Sequence, residues 1–231
     1  MYQQVLDDLL KKYKNFVFIG EAGSGKTEIS LSLAIYMTKL TDKEVHLLDM
    51  DQTKPNFRAR DVANEMEEKG VRLHYHEQIL DTPNVIPGVK ENLKNPNAYI
   101  LMDIGGGAFG SHMIGQFHNE LNTEDTKVFY IINPYRPWSQ NLDDIQVTMQ
   151  KVLGSARLKS FSIVGNPNLG MHTTVEDILE GMDKLYEYCG ETPIEFVCAL
   201  EENCSEIEKK IKEPVIPITL NTLPKWMYNS Y

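Results

Sequence analysis

Short apolar runs alternate along this chain with longer stretches in which apolar residues recur every three or four positions. The short runs predict strands at 15–19, 44–49, 98–103, 127–132, 159–164, 193–198 and 215–218. The longer ones predict helices at 2–13, 26–40, 59–69, 111–122, 139–153, 174–188 and 204–212. Runs such as "AYILMD" and "VFYII" are apolar without alternation, the pattern of strands covered on both faces. Connections long enough to hold a helix imply parallel pairing and right-handed crossovers. The pattern therefore predicts a three-layer α/β/α fold with a mostly parallel sheet, in one domain over residues 1–231. Residues 71–97 break the rhythm: a short alternating strand is followed by turn residues and three prolines. They predict an extra strand and a loop over the sheet edge, with His74 and His76 on one strand face as a structural pair in preference to a metal site.

Composition narrows the picture. The net charge is −10, from 33 acidic and 23 basic residues, which argues against nucleic-acid binding and against recruitment to anionic lipid. The amino-terminal "MYQQVLDDLLKKYKN" has no basic segment leading into an apolar run, so no signal peptide is expected. The longest apolar stretches are too short to span a bilayer, and the carboxy-terminal "NTLPKWMYNSY" lacks a basic amphipathic pattern, so no stable membrane insertion is expected. Cys189, Cys198 and Cys204 are odd in number and lack metal-ligand spacing, pointing to a reduced, cytoplasmic protein.

The strongest chemical signal is Gly20-Glu21-Ala22-Gly23-Ser24-Gly25-Lys26-Thr27, which matches G-x-x-x-x-G-K-[ST] between a predicted strand and helix. Glycines let successive backbone N–H groups turn toward phosphate oxygens, and the helix start adds its positive dipole end. Lys26 is expected to reach the β- and γ-phosphates, and the Thr27 hydroxyl to ligate Mg²⁺. The pattern lacks the G-x-G-x-x-G spacing of a dinucleotide site.

Two strand ends supply carboxylates. "YILMDIGGG" puts Asp103 at the Walker B position, a Mg²⁺ ligand directly or through water. The run Gly105–Gly107 follows, in which Gly106 can turn its N–H toward the γ-phosphate. "VHLLDMDQTKPNFRARD" puts Asp49 and Asp51 on one side of the preceding strand end, with Asp49 assigned to the magnesium shell and Asp51 to the attacking water. Lys54, Arg58 and Arg60 follow and read as solvated or structural in preference to stabilising transition-state charge.

Together these three segments resemble the MinD/ParA-type (SIMIBI) P-loop ATPases, a group that includes the ATPases assisting nickel insertion into carbon monoxide dehydrogenase and the arsenite-pump and iron–sulfur carrier ATPases. The likeness runs over residues 14–135 in motif order and spacing, and more weakly to about 220. It implies a P-loop fold, Asp51 as the water-activating aspartate, Asp103 as Walker B, Gly105–Gly107 as the second switch, and Asn166 in "IVGNPN" as an adenine reader. "NPYRP" at 133–137 is a second base-side candidate. With no N-K-x-D guanine signature, ATP is favoured over GTP. The chain departs from the family at Glu21, where that family carries a lysine that crosses a dimer interface to the partner's nucleotide. A glutamate there would repel phosphate, so a monomer, or a homodimer without exchanged lysines, is expected. The leading expectation is a Mg-ATP-dependent hydrolase acting as a switch on a protein partner whose identity the sequence does not reveal. The alternatives are a small-molecule kinase or ligase, a GTP switch, and a non-hydrolysing nucleotide-bound scaffold.

Overall fold

In the computed structural model, which describes residues 2–51, 59–75, 86–139 and 141–223, each apolar run closes into a strand of one parallel sheet. The strands are β1 (Asn15–Gly20), β2 (Glu44–Met50), β3 (Val71–His74), β4 (Ala98–Ile104), β5 (Thr126–Ile132), β6 (Ser162–Gly165), β7 (Ile194–Leu200) and β8 (Val215–Ile218). Their order is β3-β2-β4-β1-β5-β6-β7-β8, with every neighbouring pair parallel. The α-helices are α1 (Tyr2–Lys12), α2 (Lys26–Thr38), α3 (Ala63–Glu68), α4 (Val89–Lys94), α5 (Gly107–His112), α6 (His118–Leu121), α7 (Leu142–Ala156), α8 (Val175–Cys189) and α9 (Glu201–Ile207). Among the described residues no helix is long and apolar enough to cross a membrane.

Crossover handedness decides which face each helix covers. From β1 the chain moves one way along the sheet to β2 and β3, then reverses. Right-handed connections put helices of opposite travel on opposite faces. Thus α2 and α3 bury Ile29, Leu33 and Met66 with Phe16, Phe18 and Leu47 on one face, where α1 joins them. The helices from α4 onward bury Val89, Ile145, Met182 and Ile207 with Val17, Ile19 and Leu48 on the other. The reversal flanks β1, so ligand space opens at its carboxyl end.

Three segments differ from the sequence pattern. The helix expected at 59–69 begins as a 3₁₀ turn over Ala59–Val62 before α3. The one expected at 111–122 starts earlier and is broken into α5, a 3₁₀ stretch (Met113–Phe117) and α6. Its glycines serve packing: a Cβ on Gly115 would lie 2.8 Å from the Ser155 carbonyl of α7. Inside the expected edge loop, Gly88 in the left-handed region opens the additional α4.

The edge strand β3 forms as expected, and His74 finds its partner on β2. Its ring stacks on His46 with centroids 4.9 Å apart, and its Nε2 lies 3.1 Å from His46 Nδ1. His46 Nε2 in turn meets Glu44 at 3.0 Å. His76 lies outside the described residues. Burial, with the His46 ring and the Arg72 guanidinium nearby, holds the His74 imidazole below its ordinary value of 6.5.

Two outcomes follow. Phe129 is fully buried with its ring 5.5 Å from Phe18 and 5.2 Å from Phe196. Phe129→Ala should cost about 3–5 kcal/mol in urea unfolding. For His74, the unfolded chain binds the proton more tightly, so the folded state is favoured above pH 6.5 and loses that advantage as pH falls through the lowered pKa. His74→Gln should flatten the acid limb of a stability–pH curve; an unchanged slope would rule the buried histidine out as its source.

Candidate functional site

The site begins where β1 hands over to α2. Gly23 and Gly25 hold positive φ values of 73° and 95°, the left-handed region that glycine enters without strain. Lys26, only 1% exposed, folds back over the loop, its Nζ donating to the Glu21 carbonyl at 2.8 Å. Ser24 N–H meets the same carbonyl at 3.3 Å.

The carboxylates reach this loop because β2 and β4 are neighbours, with Asp49 opposite Asp103 in register. Both lie on the α2 face, two residues beyond Leu47 and Leu101 of the core beneath that helix. Thr27 Oγ1 donates to Asp103 Oδ2 at 2.7 Å. Asp51, one residue past β2, is 2% exposed, and a Cβ on Gly105 would sit 3.1 Å from its Oδ1. Asp49 accepts the Asp51 N–H at 3.1 Å on one oxygen and Arg60 Nε at 3.1 Å on the other. Arg60 also donates to the Asp51 carbonyl at 2.9 Å. Burial raises the Asp49 pKa, and Arg60 pulls against it.

This geometry bears on the magnesium expectation. The Thr27 hydroxyl and Asp103 carboxylate are hard oxygen donors brought together at the helix start, a donor set that fits Mg²⁺ completed by phosphate and water. Asp49 was expected in the magnesium shell; here its two oxygens accept from the Asp51 N–H and from Arg60 Nε, so it braces Arg60 and the backbone of Asp51. Arg60, expected to be solvated or structural, is the structural brace. Lys54 and Arg58 lie outside the described residues.

The glycine run after Asp103 lies directly on the loop. A Cβ on Gly106 would come within 2.7 Å of Ala22 Cα, and one on Gly107 within 3.1 Å of Glu21 Oε2. Gly107 has φ 71°, and a Cβ on Gly110 would reach 2.3 Å from Gly105. Side chains at these positions would hold α5 off the loop. The Glu21 carboxylate therefore rests against the start of α5 in its own chain.

From the other side, the ends of β5 and β6 carry Asn166, Arg136 and Trp138 to the loop. Asn166 is 6% exposed, and its Nδ2 donates to the Ser24 carbonyl at 2.7 Å. Arg136 Nε donates to Gly23 at 2.9 Å, and Trp138 Nε1 to Ala22 at 3.1 Å.

Residues 16–166, more than half of the chain, match the model of the CobQ/CobB/MinD/ParA nucleotide binding domain, named CbiA. The chain belongs to this family. No curated protein matches its sequence. Among solved structures, the cell division protein ftsY of Thermotoga maritima has a TM-score of 0.53 at 16% identity, over 86% of this chain and 69% of that one. FtsY from Mycoplasma mycoides gives 0.51 at 13%, over 80% and 60%. The signal recognition particle receptor FtsY from Elizabethkingia anophelis, in complex with GDP, gives 0.52 at 12%, over 84% and 64%. These identities show a shared fold, and the chain spans 60% to 69% of the neighbours' lengths.

As a CobQ/CobB/MinD/ParA-family domain, the chain gathers Lys26, Thr27, Asp51 and Asp103 in one buried cluster, each 5% exposed or less. Sequence reasoning placed Asn166 on a base and missed Trp138 entirely. Arg136 was visible only as part of "NPYRP", because nothing local marks a donor to a loop more than a hundred residues away. With Arg60 and Asp49 included, the cluster holds two cations and three carboxylates and is sensitive to imbalance. Arg60→Met should cost about 3 kcal/mol or more by leaving Asp49 buried without its cation. Adding Asp49→Leu should recover part of that loss in a denaturant-measured double-mutant cycle; strict additivity would show the pair uncoupled.

Proposed function

We propose that this domain binds and hydrolyses Mg-ATP and works as a nucleotide switch on a protein partner. The observation that carries the reading is the convergence of Lys26, Thr27, Asp51 and Asp103, all buried, at the carboxyl ends of β1, β2 and β4. Buried ionisable groups gathered at a sheet's topological switch point are costly unless a charged ligand completes them. Gly20, Glu21, Ala22, Gly23, Ser24 and Gly25 supply the cradle, and Lys26 exchanges the Glu21 carbonyl for phosphate oxygens. Thr27 and Asp103 hold Mg²⁺, which neutralises phosphate charge. Asp51 orients the attacking water. Gly106, resting on Ala22, turns its N–H toward the γ-phosphate, so α5 feels whether that phosphate is there. Phe109, 73% exposed on α5, is the side chain the switch offers its partner.

Two details bear on nucleotide and assembly. With its nitrogen on Ser24, Asn166 keeps a carbonyl end that suits the amino group of adenine. Against this stands the GDP complex of the Elizabethkingia anophelis receptor, which makes a GTP switch the competing reading. Glu21 against Gly107 supports a monomer, or a homodimer without exchanged lysines, as the working form.

Nucleotide binding and phosphate release should be measured with ATP and with GTP, with and without Mg²⁺. Asp51→Asn should keep ATP affinity and lower turnover by roughly a hundredfold or more, whereas Lys26→Ala should lose both. Equal turnover in Asp51→Asn and the parent would remove Asp51 from the chemistry. Phosphate release that depends on an added metabolite would replace the switch by a kinase or ligase, and bound nucleotide without turnover would make it a scaffold.

A further inference from the structure

The phosphate loop is held from outside, one carbonyl at a time. Trp138 Nε1 takes the carbonyl of Ala22 at 3.1 Å, Arg136 Nε that of Gly23 at 2.9 Å, and Asn166 Nδ2 that of Ser24 at 2.7 Å. Among the described residues no peptide bond is cis. In a trans peptide the carbonyl and the next residue's N–H point in opposite directions. Three carbonyls drawn outward therefore turn the N–H groups of Gly23, Ser24 and Gly25 inward. The inward direction is marked independently: Ser24 N–H meets the Glu21 carbonyl, to which the Lys26 ammonium also donates.

The glycines make room for these donors. A Cβ on Gly25 would stand 2.1 Å from Asn166 Nδ2, and one on Gly23 3.1 Å from Arg136 Nε. The donors themselves stand on a braced platform. Asn166 N–H bonds to the Ile132 carbonyl at 2.9 Å, and Asn133 Nδ2 donates to Asn168 at 2.8 Å, so the two strand ends are tied together. Arg136 closes a turn onto Asn133, Ser139 N–H returns to the Arg136 carbonyl, and Tyr135 Oη donates to the Asp177 carbonyl of α8.

We propose that Trp138, Arg136 and Asn166 are positioning residues of the phosphate cradle, fixing three successive carbonyls outward so that the amides of Gly23, Ser24 and Gly25 face a polyphosphate. The inference rests on the phosphate reading above and adds residues from beyond the loop motif. Preorganised amides cost no reorientation when an anion arrives, whereas a loop free to rotate its peptides must be ordered first.

The decisive variants are Trp138→Phe, which removes one N–H and no charge, and Arg136→Lys, which keeps the charge and loses the Nε donor. Tripolyphosphate, Mg-ATP and adenosine are titrated calorimetrically against the parent chain and each variant, and the Gly23 and Ser24 amide resonances are followed during the tripolyphosphate titration. Each variant should bind tripolyphosphate and Mg-ATP about threefold to tenfold more weakly, with adenosine affinity and the unliganded melting temperature unchanged. The tripolyphosphate-induced shift of the amide behind the lost strut, Gly23 for Trp138 and Ser24 for Arg136, should shrink. Parent-like tripolyphosphate affinity with parent-like amide shifts overturns the positioning role. Equal weakening toward adenosine also overturns it, since the platform would then act on general stability. Should Trp138→Phe fail to fold, Arg136→Lys is read alone by the same criteria. Failure of the parent chain itself to bind tripolyphosphate or Mg-ATP overturns the phosphate reading and this inference together, and is distinguishable because it needs no substitution.

Discussion

One hydrogen bond, from the Thr27 hydroxyl to Asp103 at 2.7 Å, joins the first turn of α2 to the end of β4. It exists because two registers agree: Phe18 of β1 pairs with Asp103 of β4, which pairs in turn with Asp49 of β2. A slip of one residue in either pairing would send the carboxylate to the opposite face of the sheet. The bulky apolar neighbours fix those registers, since Phe18, Leu47 and Leu101 must all enter the core under α2. Packing that looks generic thus places the oxygens to which the proposed function assigns the chemistry.

Around that bond the molecule concentrates charge where water is scarce. Asp49, Asp51 and Asp103 are each 2% exposed or less, Lys26 is buried over the neighbouring loop, and Arg60 braces Asp49. Such a cluster is weak as a source of stability, because desolvation takes back much of what pairing returns. Under the proposed function its use is pre-arrangement: the groups stand ready before a ligand arrives. The glycines at 106 and 107 complete this by letting the start of α5 lie against Ala22 and Glu21 of the loop, while Gly105 and Gly110 pack closely on each other.

Much of this was legible in the chain before folding was considered. Unalternating runs such as "VFYII" announced buried parallel strands, and the glycine-lysine-threonine spacing announced the cradle, because both are local demands on adjacent residues. Asp103 could be named because a strand's end is visible in its own pattern. The contact Asp49 makes was hidden for the opposite reason: it depends on Arg60, eleven positions on, whose approach no periodicity reveals. Within the helix expected at 111–122, Gly115 likewise meets a distant neighbour, the Ser155 carbonyl, which no local pattern reveals.

The sequence by itself determined most element types, the parallel sheet and the phosphate-loop pattern, since hydrophobic period and glycine placement act within a few residues. Tertiary structure alone decided that His74 would stack on His46, that Glu21 would rest on α5, and that Trp138, Arg136 and Asn166 would grip three successive loop carbonyls. Those contacts join residues from 28 to 142 positions apart. Their partners are chosen by strand order and crossover hand, which are properties of the whole sheet and of no segment within it.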